Sequence, residues 1–413
     1  MQPKRVVVTG MGGITAIGSD WDTVEKNLRA GVTGVEYMPE WDQFKELNTR
    51  LGAPVKDFKL PPQYTRKQTR TMSRVAQFAV LATEHALTQA GLLGNPVIQD
   101  GRMGIAHGSC SGGTDAFMEF GGMLWGGMAG RRSLNATTFL RYMSHTAGVN
   151  IGLYFALKGR IIPTTSACTS GSQGVGYAYE AIKYGKQLLM VAGGSEELHA
   201  AYAAVFDTMF ATSLRNDAPK QSPRPFDKAR DGLVIGEGAG TLILEELEHA
   251  QARGAKILAE VVGFGCNSDG DHATHPNTAT MQVAMELALK DAELSPDAIA
   301  YVSAHGTSTE QGDIAESQAT SRLFGERMPI SSMKSYLGHT LGACGAIESW
   351  WVIEMMNRGW FAPTQNLAEL DERCGKLDYL TGAGRHINCD YVMNNNFAFG
   401  GINTSLIFKR WAD

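Results

Sequence analysis

The sequence has few charged residues and no long apolar run. Lys, Arg, Asp and Glu make up 19% of its 413 residues, below the ~25% that is typical of globular proteins. Disordered chains need high charge and few apolar groups, so this composition argues against disorder. No stretch of 18 apolar residues occurs, so the sequence predicts no membrane span. The 37 basic residues do not exceed the 42 acidic ones, and we therefore expect no nucleic-acid partner.

Closely spaced cysteines are also lacking. Six cysteines occur, at positions 110, 168, 266, 344, 374 and 389. No two form a Cys-x-x-Cys pair, which argues against zinc ribbons and thioredoxin-like redox motifs. Scattered cysteines in a long chain fit the reducing cytoplasm, where most are small buried apolar residues. His272 and His275 have a spacing that metal ligands can use, but no nearby cysteine completes a zinc set, so we predict no metal site.

Glycine, in contrast, is abundant. It accounts for 48 of the 413 residues, well above its usual share of ~7%, and it shows no period of three, which excludes collagen. Because glycine permits tight turns and close backbone contacts, we expect many of these residues at such places. With 43% apolar residues, a chain of this length can bury a large core, most simply as two related halves.

Short apolar runs alternate with helical patterns along the chain, and continuous apolar runs are typical of strands covered on both faces. The sequence therefore predicts an α/β fold class with sheets between layers of helices. The predicted strands are Arg5–Thr9, Met103–Ala106, Ile162–Thr165, Leu188–Val191, Leu242–Leu244, Ile257–Gly263, Ile299–Ser303 and Ile330–Ser332. The predicted helices are Thr71–Gln89, Cys168–Lys183, Ala279–Ala292, Asp313–Leu323 and Gly345–Asn357.

The two parts of the chain show a weak internal similarity. A strand leads into a helix with a polar first turn around Cys168, and the same pattern recurs around His305 and around His339. We place the junction between the halves in the charged helical stretch Glu245–Ala255. One sequence suggests such a repeat without demonstrating it.

Cys168 is the first candidate for chemistry. It follows an apolar strand and begins a predicted helix, within the sequence Ser-Ala-Cys-Thr-Ser-Gly. The positive end of a helix macrodipole favours a thiolate, so we expect the pKa of this thiol to be lowered. Unpaired backbone N–H groups at the same place can hold an oxyanion. Residue type alone favours an inert buried cysteine, and the other five cysteines keep that interpretation.

Two histidines and a lysine are the next candidates. His305 ends a predicted strand and precedes Gly-Thr-Ser-Thr. A histidine at a strand end is structural about as often as not, but these small polar neighbours favour a ligand pocket. His339 lies in Lys-Ser-Tyr-Leu-Gly-His, a second glycine-containing loop that begins at Lys334. A lysine in apolar surroundings needs an acidic partner, for which we expect Asp313 or Glu316.

Three further segments give weaker signals. Arg66, Lys67, Arg70 and Arg74 form a basic stripe at helical spacing, which is either a solvated face or a docking site for an acidic partner. The sequence Asn-Asn-Asn-Phe-Ala-Phe-Gly-Gly at 394–401 indicates a hairpin or a mobile gate, since paired glycines permit unusual dihedral angles. The early Gly-Met-Gly-Gly does not match the dinucleotide-binding fingerprint, so nothing supports a nucleotide site.

Taken together, the motifs resemble those of the β-ketoacyl-acyl-carrier-protein synthases, and most closely the elongating type II condensing enzymes. The resemblance rests on Thr-Ser-Ala-Cys168-Thr-Ser-Gly, His305-Gly-Thr-Ser-Thr, Lys334-Ser-x-x-Gly-His339 and Phe-x-Phe399-Gly-Gly. It extends over nearly the whole chain, from Val-Thr-Gly-Met-Gly near the start to Asn-x-Ser-Leu-Ile-Phe near the end. One such motif is a weak signal, whereas the ordered set is highly specific.

The resemblance implies a thiolase-like five-layer αβαβα sandwich of two similar halves, usually assembled as a homodimer. The first half, residues 1–250, carries the nucleophilic cysteine, and the second, residues 251–413, carries the pair of histidines. A heterodimer with a related subunit stays open. The implied partner is an acyl carrier protein, whose phosphopantetheine carries the substrates, and no other cofactor is implied. The expected location is the cytoplasm.

The resemblance also implies a division of roles. Cys168 accepts the acyl group, and the backbone N–H groups of Cys168 and Phe399 hold the oxyanion. His305 and His339 stabilise the enolate that forms when malonyl-carrier protein loses CO2, and Lys334 orients the site together with Glu316. The residues implied to support or contact the substrates are Asp313, Phe399, Thr307, Thr309, Ser111, Phe206 and Gly400. The residues implied to dock the carrier protein are Arg66, Lys67 and Arg70.

The sequence departs from the family pattern in places that concern the substrate. Ser111 stands where related enzymes for longer chains often carry a bulky apolar residue, so the acyl chain length stays open. Ala398 replaces a glycine of the gate, and the 200–213 segment differs in detail. A specialised role such as polyene or other secondary lipid synthesis fits these changes. The alternatives are a non-condensing chain-length partner and a scaffold for carrier proteins.

Overall fold

The computed structural model describes residues 3–131 and 134–412. The strands are β1 (Val6–Ile14), β2 (Glu36–Tyr37), β3 (Leu51–Ala53), β4 (Met103–Gly108), β5 (Ile161–Thr164), β6 (Leu189–Glu196), β7 (Ile235–Gly236), β8 (Gly238–Glu246), β9 (Ala259–Ser268), β10 (Tyr301–Ser303), β11 (Pro329–Ser331), β12 (Trp360–Phe361), β13 (Asp378–Tyr379), β14 (Arg385–His386), β15 (Tyr391–Ala398) and β16 (Ile402–Arg410).

The helices are α1 (Trp21–Arg29), α2 (Arg66–Thr69), α3 (Arg74–Gln89), α4 (Thr114–Arg131), α5 (Thr138–Tyr142), α6 (Thr146–Phe155), α7 (Ser170–Lys183), α8 (Ala200–Asp207), α9 (Leu247–Ala252), α10 (Thr278–Asp291), α11 (Glu310–Phe324), α12 (Lys334–Leu337) and α13 (Cys344–Arg358). Every predicted strand and helix overlaps an observed element of the same type. Helix α4 was not predicted, because its several glycines lower the helix propensity of the segment.

The main sheet shows an internal repeat. Its strands lie in the order β13-β11-β10-β15-β16-β9-β1-β8-β6-β4-β5. In the first repeat, β4 pairs in parallel with β5 and β6, and β8 pairs antiparallel with β6 and β1. In the second, β10 pairs in parallel with β11 and β15, and β16 pairs antiparallel with β15 and β9. This identical order and direction confirms the two similar halves.

Helices separate and cover the two halves of the sheet. Both α7 and α13 contact strands of the first repeat and strands of the second, and they contact each other. Helix α3 packs on β1, β6 and β8, whereas α10 packs on β9, β16 and α11. The layers therefore follow the predicted order αβαβα. The two halves of the main sheet also join directly, because β1 at the edge of the first half pairs with β9 at the edge of the second half over three residues.

The central layer is tightly packed and apolar. The first turns and middle of α13 are buried on all sides, as expected for a helix between two sheets. Its Trp350 ring lies so close to β1 that a Cβ atom on Gly13 would come within 2.0 Å of it. Only glycine fits at that crossing.

The short helix α9 connects β8 to β9, and the junction between the halves at Glu245–Ala255 stays a prediction. Among the residues that the structure describes, no helix combines the length and the apolar character needed to cross a membrane.

Candidate active site

Cys168 lies in the turn between β5 and α7, two residues before the helix begins. Hydroxyl groups fix this turn: Thr169 Oγ1 donates to the Ser166 carbonyl at 2.7 Å, and Ser170 Oγ donates to the Ala167 carbonyl at 2.7 Å. Ala167 has a φ of 50°, a left-handed conformation that costs free energy for a residue other than glycine. The strained turn presents the Cys168 thiol, 5% exposed, to the centre of the molecule.

Burial governs the titration of this thiol. It raises the pKa of Cys168 to about 11, although the charge of Lys334 and hydrogen bonds from the backbone N–H groups of Phe399 and Cys168 act in the opposite direction. The lowered pKa predicted from the sequence is therefore wrong for the free protein, because the loss of hydration outweighs the favourable charges and N–H groups. Both N–H groups nevertheless face the sulfur, next to the place where the oxygen of a bound acyl group would become an oxyanion.

His339 is the nearest side-chain partner of the nucleophile. Its Nε2 lies 2.9 Å from Cys168 Sγ, and the Leu341 backbone N–H donates to its Nδ1 at 3.3 Å. Because Nδ1 accepts a hydrogen bond, the proton of the neutral ring is on Nε2 and points at the sulfur. Burial and then the charge of Lys334 lower the pKa of His339 well below its usual value, so the ring is neutral.

His305 lies at the end of β10, close to His339. The two ring centroids are 5.2 Å apart and the rings are nearly perpendicular. Burial, Lys334 and His339 lower the pKa of His305 well below its usual value. The backbone N–H groups of His305 and Gly306 donate to the two carboxylate oxygens of Glu316, each at 2.7 Å. Glu316 therefore fixes the loop that carries the histidine.

The partner of Lys334 differs from both predicted ones. Lys334 Nζ donates to Glu348 Oε1 at 2.5 Å, with both side chains almost fully buried. Glu316 is occupied by the loop N–H groups, and burial raises its pKa to about 8. Asp313 Oδ2 lies 3.4 Å from Arg230 Nε. The prediction of Asp313 or Glu316 is thus wrong, because the fold brings α13 rather than α11 alongside the lysine.

Asp313 holds a loop from the outside of the site. Its carboxylate accepts the backbone N–H groups of Phe226, at 2.7 Å, and of Ser308, at 3.1 Å. Burial raises its pKa to about 6. Asp313 therefore supports the segment after His305 through the backbone.

A cavity of about 470 Å³ opens from the reacting groups to the surface. Cys168, His305 and His339 line its inner end, and the predicted residues Glu316, Thr307, Thr309, Phe206 and Phe399 also line it. The Oγ1 atoms of Thr307 and Thr309 lie 2.9 Å apart. The cavity is lined by both polar and apolar residues, which suits a substrate that carries both kinds of group.

Besides the three docking residues, four of the predicted site residues lie outside this lining. They are Lys334, Asp313, Ser111 and Gly400. Ser111 lies in the loop after β4, and its Oγ instead forms a hydrogen bond with the Tyr202 hydroxyl. Ser111 therefore faces a different region of the first repeat, and its effect on chain length remains a prediction.

The 394–401 segment forms a hairpin. β15 and β16 flank a turn in which Gly400 and Gly401 have φ values of 88° and 69°, angles that favour glycine. Phe399 lies at this turn, and its ring centroid is 5.4 Å from that of Phe206. The hairpin prediction is confirmed, whereas the function of Phe399 as a gate remains a prediction.

The predicted basic stripe is divided in two. Arg66, Lys67 and Arg70 are exposed in and just after α2. Arg74, in contrast, belongs to α3, and its guanidinium donates to Glu237 at 2.6 Å and to the Val55 carbonyl at 3.0 Å. Only the first three are therefore available to an acidic partner.

Cys168, His305 and His339 are residue types that can bind zinc, but the hydrogen bond at His339 does not fit a metal site. Possible ligand atoms of Cys168, His305 and His339 lie within 4.8 Å of one another. Metal-bound histidines donate their second N–H to an acceptor, whereas here an N–H group faces His339 Nδ1. His272 and His275 lie at the exposed edge of the cavity with their Nδ1 atoms 2.7 Å apart.

The sequence analysis did not single out Glu348, Asn396 or Cys344. Cys344 Sγ donates to the Cys168 carbonyl at 3.2 Å. Asn396 Nδ2 donates to Glu348 Oε2 at 2.6 Å. The signal for Glu348 was a charge in the first half of α13, where most of the neighbouring residues are apolar, since a buried carboxylate needs a cation beside it.

Comparisons with known proteins identify the family of the chain. The family model "Beta-ketoacyl synthase, N-terminal domain" matches residues 3–250, and "Beta-ketoacyl synthase, C-terminal domain" matches residues 258–368. The chain is 37% identical to 3-oxoacyl-[acyl-carrier-protein] synthase 2 of Vibrio harveyi, with 100% of both chains covered.

Two solved structures are similar over almost the whole chain. A β-ketoacyl synthase from Burkholderia phymatum STM815 is 60% identical with a TM-score of 0.98, covering 99% of this chain and 100% of that chain. A ketosynthase solved with its type II PKS acyl-carrier protein and bound to the hexaketide is 30% identical with a TM-score of 0.86, covering 100% of both. The chain belongs to the β-ketoacyl synthase family.

Proposed function

We propose that this protein condenses an acyl group held on Cys168 with malonyl-acyl-carrier protein, releasing CO2 and a 3-ketoacyl-carrier protein. The observation that supports this most strongly is the 2.9 Å contact between Cys168 Sγ and His339 Nε2, with His305 beside it at the inner end of a cavity. A nucleophile next to two neutral histidine donors provides each group that such a condensation needs.

In the first half-reaction, Cys168 attacks the carbonyl carbon of an acyl thioester. The thiol loses its proton, the C–S bond to the enzyme forms, and the carrier thiol leaves with a proton. The N–H groups of Cys168 and Phe399 stabilise the oxyanion of the tetrahedral intermediate. The N–H of His339 and the charge of Lys334 lower the cost of forming the thiolate.

In the second half-reaction, the malonyl thioester loses its carboxylate as CO2. The electron pair of the broken C–C bond moves into the thioester and forms an enolate, whose negative oxygen accepts hydrogen bonds from the two histidines. His305 and His339 are neutral, so each ring carries one N–H that it can donate to this oxygen.

In the final step, the enolate carbon attacks the acyl carbon on Cys168. A C–C bond forms, the C–S bond breaks, and the thiolate of Cys168 leaves and takes up one proton from solvent, which restores the thiol. The backbone N–H groups of Cys168 and Phe399 stabilise the oxyanion of this second tetrahedral intermediate. No oxidant, reductant or metal is needed for this balance.

The substrates arrive on a carrier protein. The name of the Vibrio harveyi relative specifies an acyl-carrier-protein substrate, and the type II PKS structure contains a carrier protein with its ketosynthase. We place the phosphopantetheine arm in the cavity, against Thr307 and Thr309. The exposed Arg66, Lys67 and Arg70 provide the positive surface that an acidic carrier needs.

Two subunits of this chain form the working enzyme in this proposal. Strand β5 is an edge of the main sheet, and Ile161 on it is 39% exposed. Phe117, Trp125 and Phe139 are exposed in α4 and α5. An exposed strand edge and exposed large apolar side chains are each typical of a subunit interface. Native mass spectrometry distinguishes the homodimer from a monomer, and a monomeric mass would contradict this assembly.

The substitution Cys168→Ala tests the proposed function. We expect no acyl group on the protein by mass spectrometry and no 3-ketoacyl product with any acyl-carrier protein of a chain-length panel. Cys389→Ala is the matched control, since Cys389 is equally buried but lies away from the cavity. Normal condensation by Cys168→Ala would contradict the proposal. Carrier binding by the unmodified protein without condensation or decarboxylation would instead favour the scaffold or the non-condensing partner.

A further inference from the structure

Asn396 connects the buried ion pair of the site to the ring of His305. The side chain lies on β15 and is fully buried. Its Nδ2 donates to Glu348 Oε2 at 2.6 Å and lies 3.4 Å from His305 Nδ1. The other carboxylate oxygen of Glu348 accepts from Lys334 Nζ at 2.5 Å. The four groups form a continuous chain from Lys334 through Glu348 and Asn396 to His305.

The ion pair fixes the orientation of the amide. An atom 2.6 Å from the carboxylate of Glu348 has to be a donor, so it is the NH2 group of Asn396 and not its oxygen. With the NH2 group toward Glu348, the oxygen points the other way and has no hydrogen-bond partner among the described residues. A Cβ atom on Gly345 would come within 2.6 Å of that oxygen, so glycine at this position leaves it room.

The amide in turn fixes the proton of His305. An NH2 group has two hydrogens, and the one that does not point at Glu348 can reach His305 Nδ1 at 3.4 Å or Cys344 Sγ at 3.7 Å. The ring nitrogen is the nearer of the two and the stronger acceptor, so the hydrogen points at His305 Nδ1. A ring nitrogen that faces a donor carries no proton, so the proton of the neutral ring is on Nε2. His305 then offers an N–H toward the reacting groups and cannot accept a proton there.

We propose that Asn396 is a positioning residue that holds His305 in the Nε2–H tautomer, with Glu348 and Lys334 fixing the direction of the amide. This inference rests on the proposed function for its effect on the reaction, because an N–H donor is what the enolate oxygen needs. Asn396 acts through His305 and does not line the cavity.

The first test measures the tautomer directly. Neutron diffraction of the deuterium-exchanged wild-type protein, or ¹⁵N spectra of the histidine rings assigned with His305→Gln, shows which nitrogen carries the proton. We expect it on Nε2 in the wild type. A proton on Nδ1 of His305 would overturn the proposal. This measurement needs no substitution, so it decides the question even if a variant fails to fold.

The second test separates the two half-reactions. In Asn396→Leu, which has nearly the same volume but no donor, we expect decarboxylation of malonyl-carrier protein to fall about 10- to 100-fold, as for other residues that orient a functional histidine. Acylation of Cys168 should change less than about threefold, and the ¹⁵N spectrum should show both His305 tautomers. Unchanged decarboxylation with an unchanged tautomer would refute the assignment.

Asn395→Leu is the matched control. Asn395 is the next residue of β15, is equally buried, and its side chain faces the opposite side of the sheet, where it contacts Met285 and Ser405. We expect both half-reactions and the His305 spectrum to stay at wild-type values, once folding is confirmed by circular dichroism. If the wild type performs neither half-reaction, the proposed function is wrong, whereas the tautomer of His305 still decides this inference.

Discussion

The two repeats of the fold place chemistry at equivalent positions but with different groups. The loop after β5 carries Cys168, and the loop after the equivalent strand β11 leads to His339. The loop after β4 carries Ser111, whereas the loop after its equivalent β10 carries His305. In the proposed mechanism the first repeat therefore provides the nucleophile and the second provides the donors, and these groups come together only where both repeats meet.

The two sets of groups also respond to burial in opposite directions. Burial raises the pKa of the thiol in the first repeat and lowers the pKa of both histidines in the second. In each case the neutral form is favoured, since a buried charge loses its hydration. The free protein therefore contains an uncharged thiol and two uncharged donors, with Lys334 as the buried cation beside them.

The largest expected effect comes from removing a donor of the second repeat. In His305→Ala, we expect decarboxylation of malonyl-carrier protein to fall by about 10²–10⁴-fold, the usual range for a positioned catalytic side chain. Acylation of Cys168 should fall by less than about tenfold, because His339 and the N–H groups remain. Single-turnover assays of each half-reaction measure the two effects, and His386→Ala is the exposed control. Equal losses in both half-reactions would contradict the assignment of the nucleophile to the first repeat and of the enolate donors to the second.

A smaller effect concerns the thiol of the first repeat. Since the pKa of Cys168 is raised to about 11, the thiolate fraction grows as pH rises. We expect the rate of iodoacetamide alkylation to increase about tenfold per pH unit between pH 7 and pH 9. Mass spectrometry of the labelled peptide follows the rate. A plateau below pH 8 would indicate a preformed thiolate paired with a charged His339.

The smallest effect is expected at the surface of the first repeat. Replacing Arg66, Lys67 and Arg70 together by alanine should raise the KM for the carrier-bound substrate about 3- to 10-fold with an unchanged kcat, since exposed charges act mainly on encounter. The salt dependence of kcat/KM should also become weaker. Lys376→Ala, on the exposed surface of the second repeat, is the control. A fall in kcat with constant KM would show that these residues do not dock the carrier.

Much of the fold could be predicted from the sequence, because its central strands are continuous apolar runs and its helices carry clear periodicity. The positions of Cys168, His305 and His339 in loops at strand ends also followed from the sequence. The partner of Lys334 did not, because Asp313, Glu316 and Glu348 are all carboxylates near it in the chain, and only the packing of α13 chooses among them.

The pKa of Cys168 shows a second limit. Its place near the start of a helix was visible in the sequence, and this place favours a thiolate. The depth of burial was not visible, because it depends on the second repeat closing over the turn. The bridge from Glu348 through Asn396 to His305 had no signal at all, since it joins α13, β15 and the loop after β10.

The central layer has a consequence for how the molecule folds. Because α7 and α13 each contact both halves of the sheet, each repeat made alone would leave apolar surface of its central helix uncovered. We therefore expect that neither of the segments 3–250 and 258–368 that the family models match folds as a separate unit. Either fragment made separately would expose a large apolar face, and we expect the intact chain to unfold in one cooperative transition.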